Sequence, residues 1–166
     1  SIMVTNLVFG HSFFDRQLLD RGIDVSQGRG HIEMTETPVL SVVASNFCRI
    51  SPNADVRSAI RELGRADVTE AYLIDSKAKF RGKLRLHELL SQKDGTPVLP
   101  LADSAPISIK HDASLQQAIE VASDFVGESI PVINRAEGKM VGVVTEADLF
   151  KLYLSLQHRV ADLERT

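Results

Sequence analysis

The chain has 166 residues, of which 43% are hydrophobic and 25% charged, and its formal net charge is −3 at pH 7. This balance is typical of a folded globular protein and argues against general disorder. A mildly acidic chain offers no basic surface that could follow a phosphate backbone, so nucleic acid is not an expected partner. Cys48 is the single cysteine, which excludes an internal disulfide and a cysteine-based zinc cage.

The first ten residues, SIMVTNLVFG, are apolar except for Thr5 and Asn6. They lack the basic start and the small-residue cleavage site of a signal peptide. They are also fewer than the roughly 20 apolar residues that cross a bilayer. Two interpretations stay open: a helix that docks on its own domain, or the end of a longer hydrophobic segment.

An internal repeat runs through the rest of the sequence. Residues 50–75 align without a gap on residues 109–134, with apolar positions matching along the whole segment. After one additional residue in the second half, AKFRGKLRLHELL aligns on GKMVGVVTEADLF, which places Gly82 on Gly142. Such a repeat predicts two structurally similar units.

Each half predicts the same elements in the same order. Extended stretches are expected near residues 47–50 and 107–109, followed by polar turns in which Ser51 and Asp112 can cap a helix. Helical spacing of apolar residues supports these two helices; the positions are Val56, Ala59, Ile60 and Leu63, then Leu115, Ala118, Ile119 and Ala122. Two strands and a closing helix follow in each half: strands 71–75 and 80–86 with helix 88–92, then strands 130–134 and 140–145 with helix 146–161.

A unit of this kind has roughly 55 residues and would bury too little surface alone. We therefore expect an α/β (α+β) fold in which two β-α-β-β-α units pack as a pseudo-twofold pair. The predicted divisions are an N-terminal helical or extended arm at 1–36, copy one with its linker at 37–106, and copy two with a C-terminal helix at 107–166. The proline-containing stretch 92–106 reads as the linker between the copies.

Thr145 and Asp148 stand three residues apart where the last strand becomes a helix. A hydroxyl at a helix N-terminus, with the amides after it, forms a corner suited to a phosphate. A carboxylate one turn further can accept both hydroxyls of a ribose. The alternative is structural: Thr145 caps the helix and Asp148 completes a capping box.

The segment Gly142-Val143-Val144-Thr145-Glu146-Ala147-Asp148, preceded by SIPVIN, resembles the closing motif of CBS domains. With the repeat, residues 37–157 resemble a Bateman pair, a tandem CBS module that senses adenine nucleotides. The resemblance implies ATP, ADP or AMP as a regulatory ligand, with Thr145 and Asp148 holding its phosphate and ribose. It also implies that the adenine lies between the copies, against Phe47, Val68, Thr69 and Tyr72 of copy one.

Copy one departs from this motif. Arg85 and Glu88 stand where copy two has Thr145 and Asp148. A guanidinium replaces the small hydroxyl, and the carboxylate is one methylene further out. We therefore expect one competent nucleotide site per chain. Tyr72 could stack on a purine, although a strand tyrosine more often packs in a core.

The segment SFFDRQLLDRGIDVSQGR, residues 12–29, resembles the junction between the last membrane helix and the cytoplasmic tail of ClC chloride channels and transporters. The matching positions are Ser12, Leu18, Arg21, Gly22, Ile23 and Asp24. This resemblance implies a homodimeric regulatory region on the cytoplasmic face of a membrane, attached to an anion-transport domain. Phe14 departs from the family, which often has a tyrosine there, because phenylalanine has no hydroxyl to donate to an anion.

No catalytic set is apparent, so we expect no enzyme. His31 and Glu33 alternate as strand ligands can, but nothing nearby completes a shell, so no metal site is expected. An apolar stripe in the last helix could close the domain's own core or form a dimer contact; its members are Leu149, Leu152, Leu156, Val160 and Leu163. The alternatives to a ClC origin are a CBS sensor of another transporter or enzyme, and a dimerisation module without a ligand.

Overall fold

The computed structural model describes residues 33–165, except for the side chains of Val160 and residues 162–165. The expectations for the N-terminal stretch, for Phe14 and for His31 lie outside the described residues. In chain order the elements are β1 (Arg49–Ile50), α1 (Val56–Ala66), β2 (Glu70–Ile74), β3 (Phe80–Arg85), α2 (Leu86–Leu89), β4 (Ile109–Lys110), α3 (Leu115–Ala122), β5 (Ile130–Asn134), β6 (Lys139–Val144) and α4 (Glu146–Arg165). Short 3₁₀ helices occur at Val39–Val42 and Leu99–Leu101.

The strands form two three-stranded sheets, in the orders β1-β2-β3 and β4-β5-β6. In the first sheet β1 is parallel to β2, and β2 is antiparallel to β3 with Glu70 opposite Arg85. The same order of elements in both halves confirms the repeat and the mixed α/β fold class. Among residues 33–165, no helix is both long and apolar enough to cross a membrane.

The backbone divides into two compact units. Within the described residues, unit 1 comprises 33–43, 109–130 and 144–165, and unit 2 comprises 44–108 and 131–143. The domain boundaries at 37–106 and 107–166 follow the sequence repeat and stay a prediction.

The core of unit 2 lies between the first sheet and helix α1. Because side chains alternate along a strand, Ala71, Leu73 and Leu84 point to one face, where they meet the apolar stripe of α1. That stripe contains Val56, Ala59 and Leu63, as the helical spacing predicted. The other face carries Glu70, Tyr72, Lys83 and Arg85, and its chemistry is described below.

The helix caps lie closer to their helices than the sequence analysis expected. Asp55, not Ser51, caps α1 by accepting a hydrogen bond from the Ser58 N–H at 2.9 Å. Ser114, not Asp112, caps α3 through a reciprocal capping box. Both polar turns offer several competing side chains, and the cap falls to the residue directly before the first helical position.

The closing helices differ in length between the copies. In copy one, α2 has only four residues and begins at Leu86, two residues before the predicted start. In copy two, α4 has 20 residues and continues beyond the predicted end at Ala161. The predicted bounds of 88–92 were wrong, because the helix begins directly after Arg85, the last residue of β3.

The C-terminal stripe of α4 contributes to the core of unit 1. Leu149 and Leu156 are 0% and 1% exposed within the single chain, and Leu152 is half-buried. The side chains of Val160 and Leu163 lie outside the described residues. For Leu149 and Leu156, closing the chain's own core is the confirmed alternative.

Two connecting segments each form backbone hydrogen bonds with the second strand of a hairpin. Ala44 and Val143 exchange two backbone hydrogen bonds of 2.8 and 2.9 Å, and Asp103 and Lys83 exchange two of 2.9 Å each. Ala44 and Asp103 occupy matching positions before the first strand of each copy, and Lys83 and Val143 match in the repeat. Each connecting segment thus pairs with the last strand of the other copy.

Gly82 allows this close approach. Its φ is +150°, and a Cβ there would lie 2.7 Å from the Ala102 Cβ and 3.2 Å from the Asp103 carbonyl oxygen. Gly64 in α1 is a matched control, because a Cβ there meets nothing within 4 Å.

We predict that Gly82→Ala lowers the free energy of unfolding by about 2 kcal/mol or more, since strain and a clash combine. Gly64→Ala should raise it by about 0.5–1 kcal/mol, because alanine is the better helix former. Urea unfolding of both variants measures the two effects. Equal stability of the two variants would contradict this account of Gly82.

Candidate functional site

The corner of copy two is formed where β6 ends and α4 begins. Thr145 lies between them, and its Oγ1 accepts a hydrogen bond from the Asp148 N–H at 3.1 Å. In return, the Thr145 N–H donates to Asp148 Oδ2 at 3.1 Å. This reciprocal pair is a capping box, so the structural interpretation of the spacing is confirmed.

The capping box leaves ligand-binding capacity at the same corner. Asp148 uses Oδ2 for the cap, and no hydrogen bond to its Oδ1 is found within the described part of the chain. Both side chains are half-buried. An ionised carboxylate can accept from two hydroxyls, and the first helical amides favour an anion. A ribose and phosphate role for Asp148 and Thr145 is compatible with the cap and stays a prediction.

Two of the predicted adenine contacts, Phe47 and Tyr72, lie together in unit 2. Their ring centroids are 5.6 Å apart in an edge-to-face arrangement. The Arg49 guanidinium lies 4.0 Å from the Phe47 ring centroid, and Phe80 lies beside Tyr72 at 6.3 Å. Tyr72 is only 1% exposed, so its ring already packs among protein side chains. Phe47 is half-buried and retains accessible surface.

Val68 and Thr69 form the turn between α1 and β2. Val68 is half-buried against the core of unit 2, and its N–H donates to the Leu63 carbonyl at 3.1 Å. Thr69 is exposed, and its carbonyl accepts from the Leu86 N–H at 2.9 Å. The turn borders a pocket of about 320 Å³ at the corner of copy one; its lining residues are Thr69, Glu70, Arg85, Leu86, His87 and Leu90.

In that corner Arg85 makes ion pairs in place of a hydroxyl cap. Its guanidinium contacts Asp103 at 3.2 Å and Glu88 at 3.7 Å. Arg85 precedes α2 and, within the described residues, makes no side-chain cap hydrogen bond to that helix. The departure of copy one from the motif therefore produces a charged corner in which the arginine already has acidic neighbours.

A buried ion pair beside this corner was missed by the sequence analysis. Lys83 Nζ contacts Glu70 Oε1 at 2.9 Å, with side-chain exposures of 1% and 7%. Burial lowers the pKa of Lys83 below its ordinary value, and the bond to Glu70 opposes that shift. The Lys83 ammonium also lies 5.7 Å from the Tyr72 ring centroid. A lysine in the alternating pattern of β3 was the available signal, but its partner requires knowledge of the strand register.

Across residues 33–165, no three His, Cys, Asp or Glu side chains are grouped as ligands for an ion. Glu33 instead pairs with Arg159 at 3.8 Å. Burial raises the pKa of Cys48, which disfavours its thiolate form.

Comparison with known proteins identifies the class of fold. Residues 100–155 match the family model described as the CBS domain. A CBS domain pair/ACT domain protein from Thermotoga maritima aligns with a TM-score of 0.64 at 18% identity, covering 72% of this chain and 98% of the other. The chain thus has the fold of a CBS domain pair.

Two further similar proteins concern magnesium transport. The magnesium transporter MgtE of Thermus thermophilus is 22% identical over 113 residues, which span 65% of this chain but only 25% of that protein. The cytosolic domain of the Mg²⁺ channel MgtE, solved in complex with ATP, aligns with a TM-score of 0.64 at 21% identity. That alignment covers 82% of this chain and 58% of the other.

The capping box leads to a stability prediction. Thr145→Ala should lower the free energy of unfolding by about 1 kcal/mol, because the Asp148 amide loses its acceptor. Thr145→Ser keeps the hydroxyl and should stay within a few tenths of a kcal/mol of the wild type. Urea unfolding measures both variants, and an equal loss in both would show that the hydroxyl does not stabilise the helix.

Proposed function

We propose that this chain is the regulatory CBS pair of a membrane transporter, and that it binds an adenine nucleotide at the Thr145–Asp148 corner. The observation that carries the proposal is the pair of hydrogen bonds between these residues, which fixes the Asp148 carboxylate and leaves Oδ1 for a ligand. ATP, ADP and AMP share the ribose and phosphate that such a corner can hold. The ATP complex of the structurally similar MgtE domain supports this ligand class. We assign the chain a regulatory role and no catalytic step.

Similarity to magnesium-transport proteins favours a cation transporter as the protein that carries this pair. The ClC resemblance rests on residues 12–29, which lie outside the described residues. The curated relative and the ATP-bound neighbour are both magnesium-transport proteins. We therefore prefer the alternative, a CBS sensor of another transporter, with a magnesium transporter as the first candidate. On this proposal the pair lies at the cytoplasmic face of a membrane.

A chloride-transporting parent is the second candidate, because the segment from Ser12 to Asp24 resembles the ClC junction. Liposomes that contain the whole parent protein distinguish the two. Uptake of Mg²⁺ without chloride flux supports the first candidate, and chloride flux without Mg²⁺ uptake supports the second.

Nucleotide binding is tested first at Asp148. Asp148→Ala should weaken ATP binding about 10- to 100-fold, because it removes charge-assisted hydrogen bonds worth about 1.5–3 kcal/mol. Asp148→Asn keeps an acceptor for the Thr145 amide while losing the charge, so it separates ligand binding from capping. Glu88→Ala, at the matching position of copy one, is the control and should stay within about twofold.

Isothermal titration calorimetry measures these affinities, with circular dichroism to confirm folding. The absence of binding heat for ATP, ADP and AMP at millimolar concentration in the wild type would overturn the nucleotide proposal. A dimerisation module without a ligand would then be the better account.

We also propose that two copies associate as a homodimer, since symmetric pairing is the usual association of identical chains. Light scattering should give a mass near twice 18.3 kDa. Leu156→Lys should unfold the chain rather than release a folded monomer, because Leu156 is buried within one chain. His158→Lys, at an exposed position of the same helix, is the control. A monomeric mass at every concentration would contradict the dimer.

A further inference from the structure

The charged side chains at the corner of copy one form a connected set on one face of the first sheet. Glu70 and Lys83 are paired at 2.9 Å, and Arg85 contacts Asp103 at 3.2 Å and Glu88 at 3.7 Å. All five belong to unit 2. Three carboxylates and two cations therefore lie where copy two has Thr145, Asp148 and uncharged residues, and they leave one net negative charge at this corner.

The sequence repeat shows that both partners of each ion pair change together. The repeat matches Arg85 with Thr145 of copy two, and Asp103 with Ala44, which pairs with the last strand of copy two. It matches Lys83 and Glu70 with Val143 and Ser129. A buried or half-buried charge without its partner is costly, so each cation in copy one requires its own acid. The network is a complete replacement of the copy-two chemistry rather than a single altered residue.

The connecting segment places the Asp103 carboxylate next to Arg85. The backbone of Asp103 exchanges two hydrogen bonds of 2.9 Å with Lys83, next to Gly82. This pairing fixes the Asp103 side chain beside β3, where its Oδ2 meets the Arg85 Nη2. The Asp103 Oδ1 also accepts from the Ala105 N–H at 3.1 Å, which holds the carboxylate in place.

We propose that the Arg85–Asp103 ion pair is an internal substitute for a ligand: it occupies the corner of copy one, holds residues 102–103 on β3, and limits the chain to one nucleotide site. The limit to one nucleotide site rests on the proposed nucleotide function. The contact by which Arg85 stabilises the connecting segment does not depend on any ligand. A phosphate that paired with Arg85 would have to displace Asp103 at 3.2 Å and would lie beside that carboxylate and Glu88. Repulsion between the phosphate and these carboxylates disfavours phosphate binding at this corner.

Restoring the copy-two residues tests the substitution. The triple variant Arg85→Thr, Glu88→Asp, Asp103→Ala gives copy one the matching residues of the repeat at Arg85 and at its two acidic partners. Titration with ATP should change from one site per chain in the wild type to two in the variant. The proposal is overturned by two sites in the wild type, or by one site in a folded triple variant. If the wild type has two sites and Arg85→Ala has one, Arg85 binds phosphate instead of excluding it.

A second measurement needs no nucleotide. Hydrogen exchange of the Lys83 and Asp103 amides, followed by NMR, reports how often the connecting segment separates from β3. Arg85→Thr should accelerate exchange at both amides about 5- to 10-fold. Arg81→Thr is the matched control on the same strand, because Arg81 pairs with Asp75 at 3.5 Å and not with Asp103, so both amides should exchange as in the wild type.

The two measurements separate the possible failures. If no variant binds ATP, the proposed function fails, while the exchange rates still decide whether Arg85 holds the segment. Unchanged exchange in Arg85→Thr would overturn the internal substitute whatever the calorimetry shows.

Discussion

The backbone pairing between Asp103 and Lys83 determines the arrangement of the copy-one corner. Two hydrogen bonds of 2.9 Å place the connecting segment on the edge of β3, and they require a glycine at position 82 because a Cβ would meet Ala102. Once this pairing forms, the Asp103 side chain lies beside Arg85, and Lys83 is turned to the face that carries Glu70. The pairing also satisfies the backbone N–H and carbonyl of Lys83 at the edge of the sheet.

The second connecting segment makes the same backbone contact with different side chains. Ala44 pairs with Val143 as Asp103 pairs with Lys83, yet neither Ala44 nor Val143 can form an ion pair. The repeat therefore preserves the hydrogen bonds that position the corner and changes the groups that fill it. This separation is physically reasonable because backbone pairing depends on register, whereas ligand binding depends on side chains.

The sequence predicted the elements well because their signals are local. The spacing of Val56, Ala59 and Leu63 predicts a helix directly, and the structure buries all three. The caps were misplaced because Ser51 and Asp55 are both able to cap, and only the backbone geometry selects Asp55. The Arg85–Asp103 and Lys83–Glu70 pairs depend on strand register and on a segment 18 residues away, which no local pattern encodes. The repeat did indicate that the corner of copy one differs, because Arg85 occupies the position of Thr145.

The unequal copies have a consequence for how such a sensor would respond. On the proposal of one nucleotide site per chain, two ligands would not bind to the same chain, so cooperativity would arise from coupling between chains. A site at Asp148 can bias a conformational equilibrium only through its differential affinity for two states. On this proposal, the copy-one corner keeps its internal ion pair whether or not a nucleotide is bound at Asp148. In a homodimer the response would depend on two equivalent Asp148 corners, and the sharpness of the response would measure the coupling across the dimer contact.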